Sequence, residues 1–170
     1  MPKGMRPIFT RTLSANSSGI TFNNIPQNYD DLYVLISGRI ASGAIYGNIA
    51  LQVNGVTSGT SYYTHRLTGN GTGISSDRIA ANNFIYVGEV SGDTATASTF
   101  GICTIYIPNY TSEKYKQVIM ENVSENNTNA SFVGIHSGLI QQFTPINSIT
   151  LSPVGTLLTG CTFTLYGIGK

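Results

Sequence analysis

Hydrophobic and polar residues alternate along most of this chain, and the period is two residues, as in a strand, instead of 3.6, as in a helix. The clearest example is the segment 32–40, where every second residue from Leu32 to Ile36, and again Ile40, is aliphatic. The residues between them are mixed, so only one face can found a core. This pattern predicts a half-buried β-strand that follows a short strand at 20–22 through a turn rich in Asn and Pro.

The same alternation recurs at even spacing along the rest of the chain. The segments between the alternating stretches are short and rich in Gly, Asn, Ser and Thr, which favour turns. About ten strands at this spacing are typical of a sandwich or a jelly roll. The sequence therefore predicts an all-β fold, an antiparallel β-sandwich of jelly-roll-like architecture. Strands are predicted at residues 8–13, 20–22, 32–40, 48–54, 60–67, 83–90, 99–107, 115–123, 132–139, 146–151 and 161–168.

Residues 99–107 differ from the other strands because both of their faces are mostly apolar. Such a strand is expected in the middle of a sheet. It carries Cys103, and the last strand begins at Cys161, the second and final cysteine of the chain. Two distant thiols make neither a metal site nor a disulfide framework. Buried free thiols are therefore expected, and a single bridge stays open if the two strands pair.

The first eight residues do not fit the strand pattern. They contain Lys3, Arg6 and Pro7 and read as an N-terminal arm, residues 1–8, ahead of a single β-sandwich domain at 9–170. The arm is either a frayed terminus or a segment that lies on a neighbouring subunit. It has no apolar region typical of a signal peptide, so a protein made and kept soluble in a cytoplasm is expected.

Charge is unusually scarce: only 10% of the 170 residues are charged, and the net charge is +1. No basic run is present, so nucleic acid is not an expected partner. No apolar run approaches the length of a membrane span, so a membrane is not expected either. A nearly uncharged polar surface gives little colloidal repulsion and suits a protein that works inside an assembly.

Groups able to carry out catalysis are few. Each of the two histidines, His65 and His136, lacks a nucleophile or a carboxylate at a recognisable spacing, and a structural role is expected for both. The hydrolase motif Gly-x-Ser-x-Gly and the zinc motif His-x-x-x-His are both missing. The sequence therefore predicts a protein that is not an enzyme and needs no cofactor and no metal.

The acidic residues do not change this prediction. Asp30 and Asp31 adjoin in the turn before the strand at 32–40, where capping of the turn is the expected role. A calcium site is the alternative, but Ca²⁺ needs several oxygen ligands. The only other carboxylates to spare for such a site are Asp77, Glu89 and Asp93.

Tyrosine is the one enriched aromatic residue, with ten copies against no Trp. Tyrosines at strand ends and in loops are either half-buried strand residues or contacts at an interface, since Tyr offers a large contact area at low entropic cost. Tyr29 and Tyr46 are the candidates for contact with a protein partner. A sugar-binding loop is a third interpretation. Its candidate residues are Tyr62, Tyr63, His65 and Asn70.

Three stretches taken together resemble a known family. They are residues 20–32 (ITFNNIPQNYDDL), residues 97–110 with ASTFG followed by IYIPNY, and residues 146–168 with INSITLSP followed by FTLYGI. As a set they are similar to small virion structural proteins of tailed bacteriophages, especially phages of aquatic hosts and cyanobacteria. The resemblance covers nearly the whole chain and implies a β-sandwich or jelly-roll module that decorates the capsid or ends a tail fibre. It brings no catalytic residues.

A single short domain with a basic arm fits a free-standing capsid decoration, or cement, protein better than a fibre. The expected partner is the major capsid protein, with a homo-oligomer such as a trimer as a further expectation. The expected location is the capsid surface of a virion assembled in the host cytoplasm. Lys3, Arg6, Pro7, Tyr29 and Tyr46 are the expected contacts. The alternative is a tail-associated receptor-binding module that recognises a host-surface glycan through the loops near Tyr62 and Asn70.

Overall fold

The fold is known from a computed structural model, which describes residues 4–127 and 131–169. Within these residues the regular structure is entirely β, so the all-β prediction is confirmed. No helix in this part of the chain is long and apolar enough to cross a membrane. The strands are β1 (Met5–Thr12), β2 (Ile20–Phe22), β3 (Asp31–Ala41), β4 (Tyr46–Val53), β5 (Tyr62–Gly69), β6 (Ile74–Asn82), β7 (Ile85–Gly92), β8 (Gly101–Ile107), β9 (Lys116–Ser124), β10 (Phe132–Ile140), β11 (Ile149–Pro153), β12 (Thr156–Leu157) and β13 (Thr162–Ile168).

The strands form two sheets that share β3. The large sheet has the order β1-β13-β3-β8-β9-β10-β5-β6, and the small sheet runs β2-β11-β4-β7 and then joins the end of β3, which also pairs with β12. All pairings are antiparallel except a short parallel one, where Arg39 and Ile40 lie beside Ser91 and Gly92. The predicted antiparallel sandwich is therefore observed, with one parallel contact at its corner.

The core lies between the two sheets, and it is built from the residues that alternation assigned to inner faces. Along β3, the side chains of Leu32, Val34, Ile36 and Ile40 are all fully buried, as predicted. The small sheet contributes the matching face from its own alternating strands. Its buried members on β4, β7 and β11 are Ile49, Leu51, Val53, Ile85, Val87, Ile149 and Leu151.

Arg39 is buried at the corner where β3 passes from one sheet to the other, with only 8% of its surface exposed. Its guanidinium donates hydrogen bonds to backbone carbonyls of the loop between β7 and β8: to Thr96 at 2.8 Å, Thr99 at 2.9 Å and Ala95 at 3.0 Å. The planar guanidinium presents several donors at once, so one side chain holds the whole loop.

The N-terminal segment is more ordered than an arm. The strand predicted to begin at residue 8 begins at Met5, and β1 pairs with β13 along its length. The second half of the predicted arm therefore belongs to the large sheet, while Lys3 lies outside the described residues. Pro7 is tolerated because β1 is an edge strand and its register shifts between Pro7 and Phe9.

The sequence did not predict β6, part of which was assigned to a loop. Its composition, ISSDRIAAN, lacks the alternation of a half-buried strand because most of its side chains are exposed. The hairpin that joins it to β5 is closed by Asn70, whose side-chain oxygen accepts hydrogen bonds from the N–H groups of Thr72 and Gly73. This short polar turn is what pairs β6 with β5.

Both cysteines are free thiols and both are buried, as expected. Burial raises the pKa of the Cys103 thiol, and it also raises that of Cys161. The Cys161 sulfur meets the Arg39 backbone, accepting from its N–H and donating to its carbonyl, each at 3.2 Å. Neither thiol has the exposed, electropositive surroundings that make a cysteine reactive.

Replacing Arg39 with Met should lower the free energy of unfolding by at least about 2 kcal/mol, because the loop carbonyls lose a charged donor inside the fold. Urea denaturation measures this loss, and limited proteolysis should show faster cleavage within residues 93–99. Arg11→Met, on the exposed strand β1, is the matched control. Equal stability of the two variants would contradict the anchoring role of Arg39.

Candidate functional site

The outer face of the large sheet carries a group of exposed aliphatic side chains, here called the outer apolar patch. Between 45% and 82% of each side chain is exposed, although alternation in a two-sheet protein usually turns polar residues outward. A contiguous exposed apolar surface on a soluble protein often marks an interaction site. The members of the outer apolar patch are Leu67, Ile74, Ile102, Ile119, Val123, Val133 and Ile135.

Strand register makes the outer apolar patch continuous. Val123 lies opposite Ile102 on one side and opposite Val133 on the other, and Ile135 lies opposite Leu67. The patch crosses five neighbouring strands, β8 to β6 through β9, β10 and β5, which at about 4.8 Å per strand spans about 19 Å. Five of its seven members line a shallow groove of about 520 Å³.

The outer apolar patch contains one carboxylate, that of Glu121. This residue lies directly opposite Thr104 on one neighbouring strand and Ile135 on the other. Among the described residues, the ion pairs join Arg66 to Asp77 and to Glu89, and none involves Glu121. A lone acid surrounded by aliphatic side chains can pair with a basic group supplied from outside.

The strand at 99–107 was predicted to be central because both of its faces are apolar, and β8 is indeed central, between β3 and β9. Its inner residues Cys103 and Ile105 are fully buried, whereas Ile102 on the outer face is 49% exposed. The apolar outer face thus predicted the correct position of β8 in the sheet, although Ile102 on that face is exposed.

A second feature of the same outer face, here called the polar depression, lies beside the outer apolar patch and has a volume of about 440 Å³. Arg78, His65 and Ser137 form one row across β6, β5 and β10, and Tyr63 and Leu139 lie in the next row. The remaining lining residues are Gln117, Gly138 and Gln141. Two predicted sugar-binding residues, Tyr63 and His65, are therefore close together on the surface.

The other two predicted sugar-binding residues are elsewhere, and these predictions are corrected. Tyr62 is fully buried on the inner face, and its hydroxyl accepts from the Val53 N–H and donates to the Val56 carbonyl, both at 3.0 Å. Burial raises the pKa of its phenol. Asn70 is occupied in its own hairpin turn and does not line the polar depression.

The residues predicted to contact a protein partner lie at opposite ends of β3. Arg6 is exposed on β1 opposite Gly167, and the half-buried ring of Tyr29 packs over that same glycine, where a Cβ would approach within 2.3 Å of the ring. Tyr46 is 38% exposed at the other end, and its ring contacts that of Phe132 with centroids 4.4 Å apart. No single surface therefore unites these candidates.

The interior near β7 contains a cluster of buried polar side chains from the large sheet. The edge of β7 that faces the large sheet presents backbone carbonyls that need donors. The Asn122 amide donates to the Glu89 carbonyl at 3.3 Å, and Arg66 approaches the Glu89 carboxylate at 3.7 Å. His136, beside them, is 1% exposed. The sequence predicted a hydrogen-bonded structural histidine here; His136 is interior, but neither of its ring nitrogens has a hydrogen-bond partner among the described residues.

Arg66 links this interior to the surface. Its guanidinium donates to both carboxylate oxygens of Asp77 on β6, at 2.8 and 2.5 Å. This hydrogen bonding lowers the pKa of Asp77 and raises that of Arg66. Asp77 is therefore committed to Arg66 and is not available to any other cation.

The described residues contain no group of three or more His, Cys, Asp or Glu side chains that could hold a metal ion. The acids considered for calcium have other roles. Asp31 accepts hydrogen bonds from the Asn109 N–H and the Tyr106 hydroxyl, both at 2.8 Å, so it fixes the turn after β8. Asp93 accepts from the N–H groups of Ser42 and Gly43. Desolvation acts to raise the pKa of Asp93, but hydrogen bonds from its own backbone N–H and from those of Gly43 and Ser42 lower it.

No protein-family model matches the chain, and no curated protein matches it. Among solved structures, it is similar to exo-inulinase from Aspergillus awamori, with 13% identity and a TM-score of 0.49, over 99% of this chain and 30% of the inulinase. It is also similar to toad ovary galectin in complex with thio-digalactose, with 11% identity and a TM-score of 0.36, over 86% of this chain and 98% of the galectin. At these scores the likenesses carry no argument about function.

Stability should depend on pH through His136. Burial lowers the pKa of its imidazole, with the Glu89 carboxylate acting in the opposite direction, so the folded protein keeps it neutral where an unfolded histidine, with a pKa of about 6.5, binds a proton. The free energy of unfolding should therefore be greatest above about pH 6.5 and fall below it, by at most about 1.4 kcal/mol per pH unit.

Urea unfolding between pH 7 and pH 5 tests this dependence. His136→Gln should flatten the slope, whereas His65→Gln, at an exposed histidine, should keep it. Asp77 does not interfere, since its lowered pKa moves its titration below this window. An unchanged slope in the His136 variant would assign the effect to other groups.

Proposed function

We propose that this chain is a structural protein of a tailed-phage virion that decorates the head by binding the outer surface of the major capsid protein. The observation that carries the proposal is the outer apolar patch, a continuous aliphatic face on a protein with few charged residues. The resemblance of the sequence to small virion structural proteins supplies the class of assembly.

The dimensions of the outer apolar patch fit the centre of an interface. Across about 19 Å and along about four residues of strand, it covers about 250 Å², well below the roughly 800 Å² that each partner contributes to a standard interface. Neutral polar residues around it would supply the rim, as in most protein interfaces. Thr104 and Ser76, which lie opposite Glu121 and Leu67, are such residues.

Glu121 indicates what the partner surface must offer. Burying an unpaired carboxylate is costly, so docking requires a cation opposite it. The complementary surface therefore combines aliphatic side chains with at least one Lys or Arg. A purely apolar partner would leave Glu121 desolvated and unpaired.

The proposed mechanism is the burial of additional interface across neighbouring capsomers, which offsets the outward pressure of packaged DNA. Arg6 and Pro7 lie on β1, seven strand positions from β6, or about 34 Å across the large sheet. Contacts through both β1 and the outer apolar patch would let one copy, or a trimer, touch two neighbouring capsid subunits.

Val133→Asp should reduce binding to heads at least tenfold, because it introduces a charge into the centre of the outer apolar patch. The control is Val154→Asp, since Val154 is similarly exposed, at 54% against 60%, but lies outside the patch. Occupancy is measured by adding each purified variant to heads that lack the protein and quantifying the bound fraction. Equal occupancy of the two variants would overturn the assignment of this face.

The alternative function is a tail-associated receptor-binding module for a host-surface glycan. The observation that favours it is that Tyr63 and His65 lie together in the polar depression. Cryo-electron microscopy of intact particles separates the two functions. Density on capsomers supports decoration, and density on the tail alone supports receptor binding.

A further inference from the structure

We propose that the polar depression is a binding site for an acidic saccharide, with Arg78 holding its carboxylate or sulfate group. This inference goes beyond head decoration and does not depend on it, because none of the residues that line the polar depression is a member of the outer apolar patch, which adjoins it at Ile119, opposite Ser137. It rests on the chemistry, the charge and the rigidity of the lining residues.

The lining chemistry suits a polyhydroxylated ligand. Ser137 offers a hydroxyl, Gln117 and Gln141 offer amides, and His65 offers an imidazole, so donors and acceptors alternate around one cavity. The volume, about 440 Å³, lies in the range of roughly 300–1,000 Å³ that small-molecule sites occupy. Tyr63 and Leu139, both half-buried, add apolar surface against which the C–H face of a sugar ring can pack.

The polar depression contains the positive charge of Arg78, which favours an anionic ligand. None of its lining residues is a carboxylate. Arg78 is exposed, and its guanidinium lies over the Tyr63 ring, 5.9 Å from the ring centroid, which holds the charge at the cavity.

Arg78 differs from the neighbouring Arg66 in having no acidic partner among the described residues. Arg66 points into the fold and is neutralised by Asp77, which directly precedes Arg78 on β6. Among the described residues Arg78 has no corresponding acid. A planar guanidinium without a partner is well suited to bind a carboxylate or sulfate through two parallel hydrogen bonds.

The site is also preorganised. Its residues come from β5, β6, β9 and β10, four adjacent strands of one sheet, and only Gln141 lies just beyond a strand end. Functional groups on paired strands are held more accurately than groups on loops, so little ordering is needed when a ligand binds.

Binding is tested by following backbone amide shifts of the whole protein by NMR. The acidic probes are tri-galacturonate, a hyaluronan tetrasaccharide and a sulfated heparin disaccharide, and the neutral probe is methyl-esterified tri-galacturonate. We expect saturable shifts of amides in β5, β6 and β10 with at least one acidic probe. The neutral ester should bind at least tenfold more weakly, because it offers no anion to Arg78.

Two variants and one control identify the site. Arg78→Gln should weaken binding of the acidic probe at least tenfold, and Gln117→Glu should weaken it by like-charge repulsion. Arg11→Gln removes the same charge from the far edge of the sheet and should leave affinity unchanged. The inference is overturned if no acidic probe saturates, if the neutral ester binds equally well, or if Arg11→Gln weakens binding as much as Arg78→Gln.

Discussion

The hydrogen bonding of β3 is the constraint on which the rest of the structure depends. One flank of this strand pairs with β13 and the other with β8, and its last residues leave the large sheet to join β7 and β12. The close approach at this corner requires Gly101, because a Cβ there would lie 2.8 Å from the Val90 backbone. Where β3 leaves the large sheet, side chains hydrogen-bond the backbone groups that lack a strand partner. The Cys161 sulfur accepts from the Arg39 N–H and donates to the Arg39 carbonyl, and the Arg39 guanidinium donates to the Thr99 carbonyl.

Because β3 belongs to both sheets, the inner and outer faces of the large sheet are subject to different demands. The inner face must cover the small sheet and also supply a donor to the edge of β7, which explains why Asn122 is buried and donates to the Glu89 carbonyl. The outer face neither packs against the small sheet nor bonds to β7. The outer apolar patch and the polar depression on it are therefore available to partners outside the molecule.

Alternation was sufficient to predict the strands whose two faces differ, and β3 is the best example. It failed for β6, because an edge strand with mostly exposed side chains has no apolar face to reveal it. It also could not tell which of Tyr62 and Tyr63 faces outward, since a shift of one residue exchanges the faces of a strand. The polar depression brings together residues far apart in the chain, such as Arg78 and Gln117, and only the pairing of β6, β5, β10 and β9 makes them neighbours.

The position of β13 has a consequence for how the protein is made. This strand lies between β1 and β3, where Phe163 is the partner of both Arg11 and Ile36. Until β13 has been synthesised, β3 keeps an open flank next to its aliphatic residues, and β1 has no strand to pair with. Completion of the large sheet therefore waits for β13, and until then the open edge of β3 must be kept from pairing with other chains.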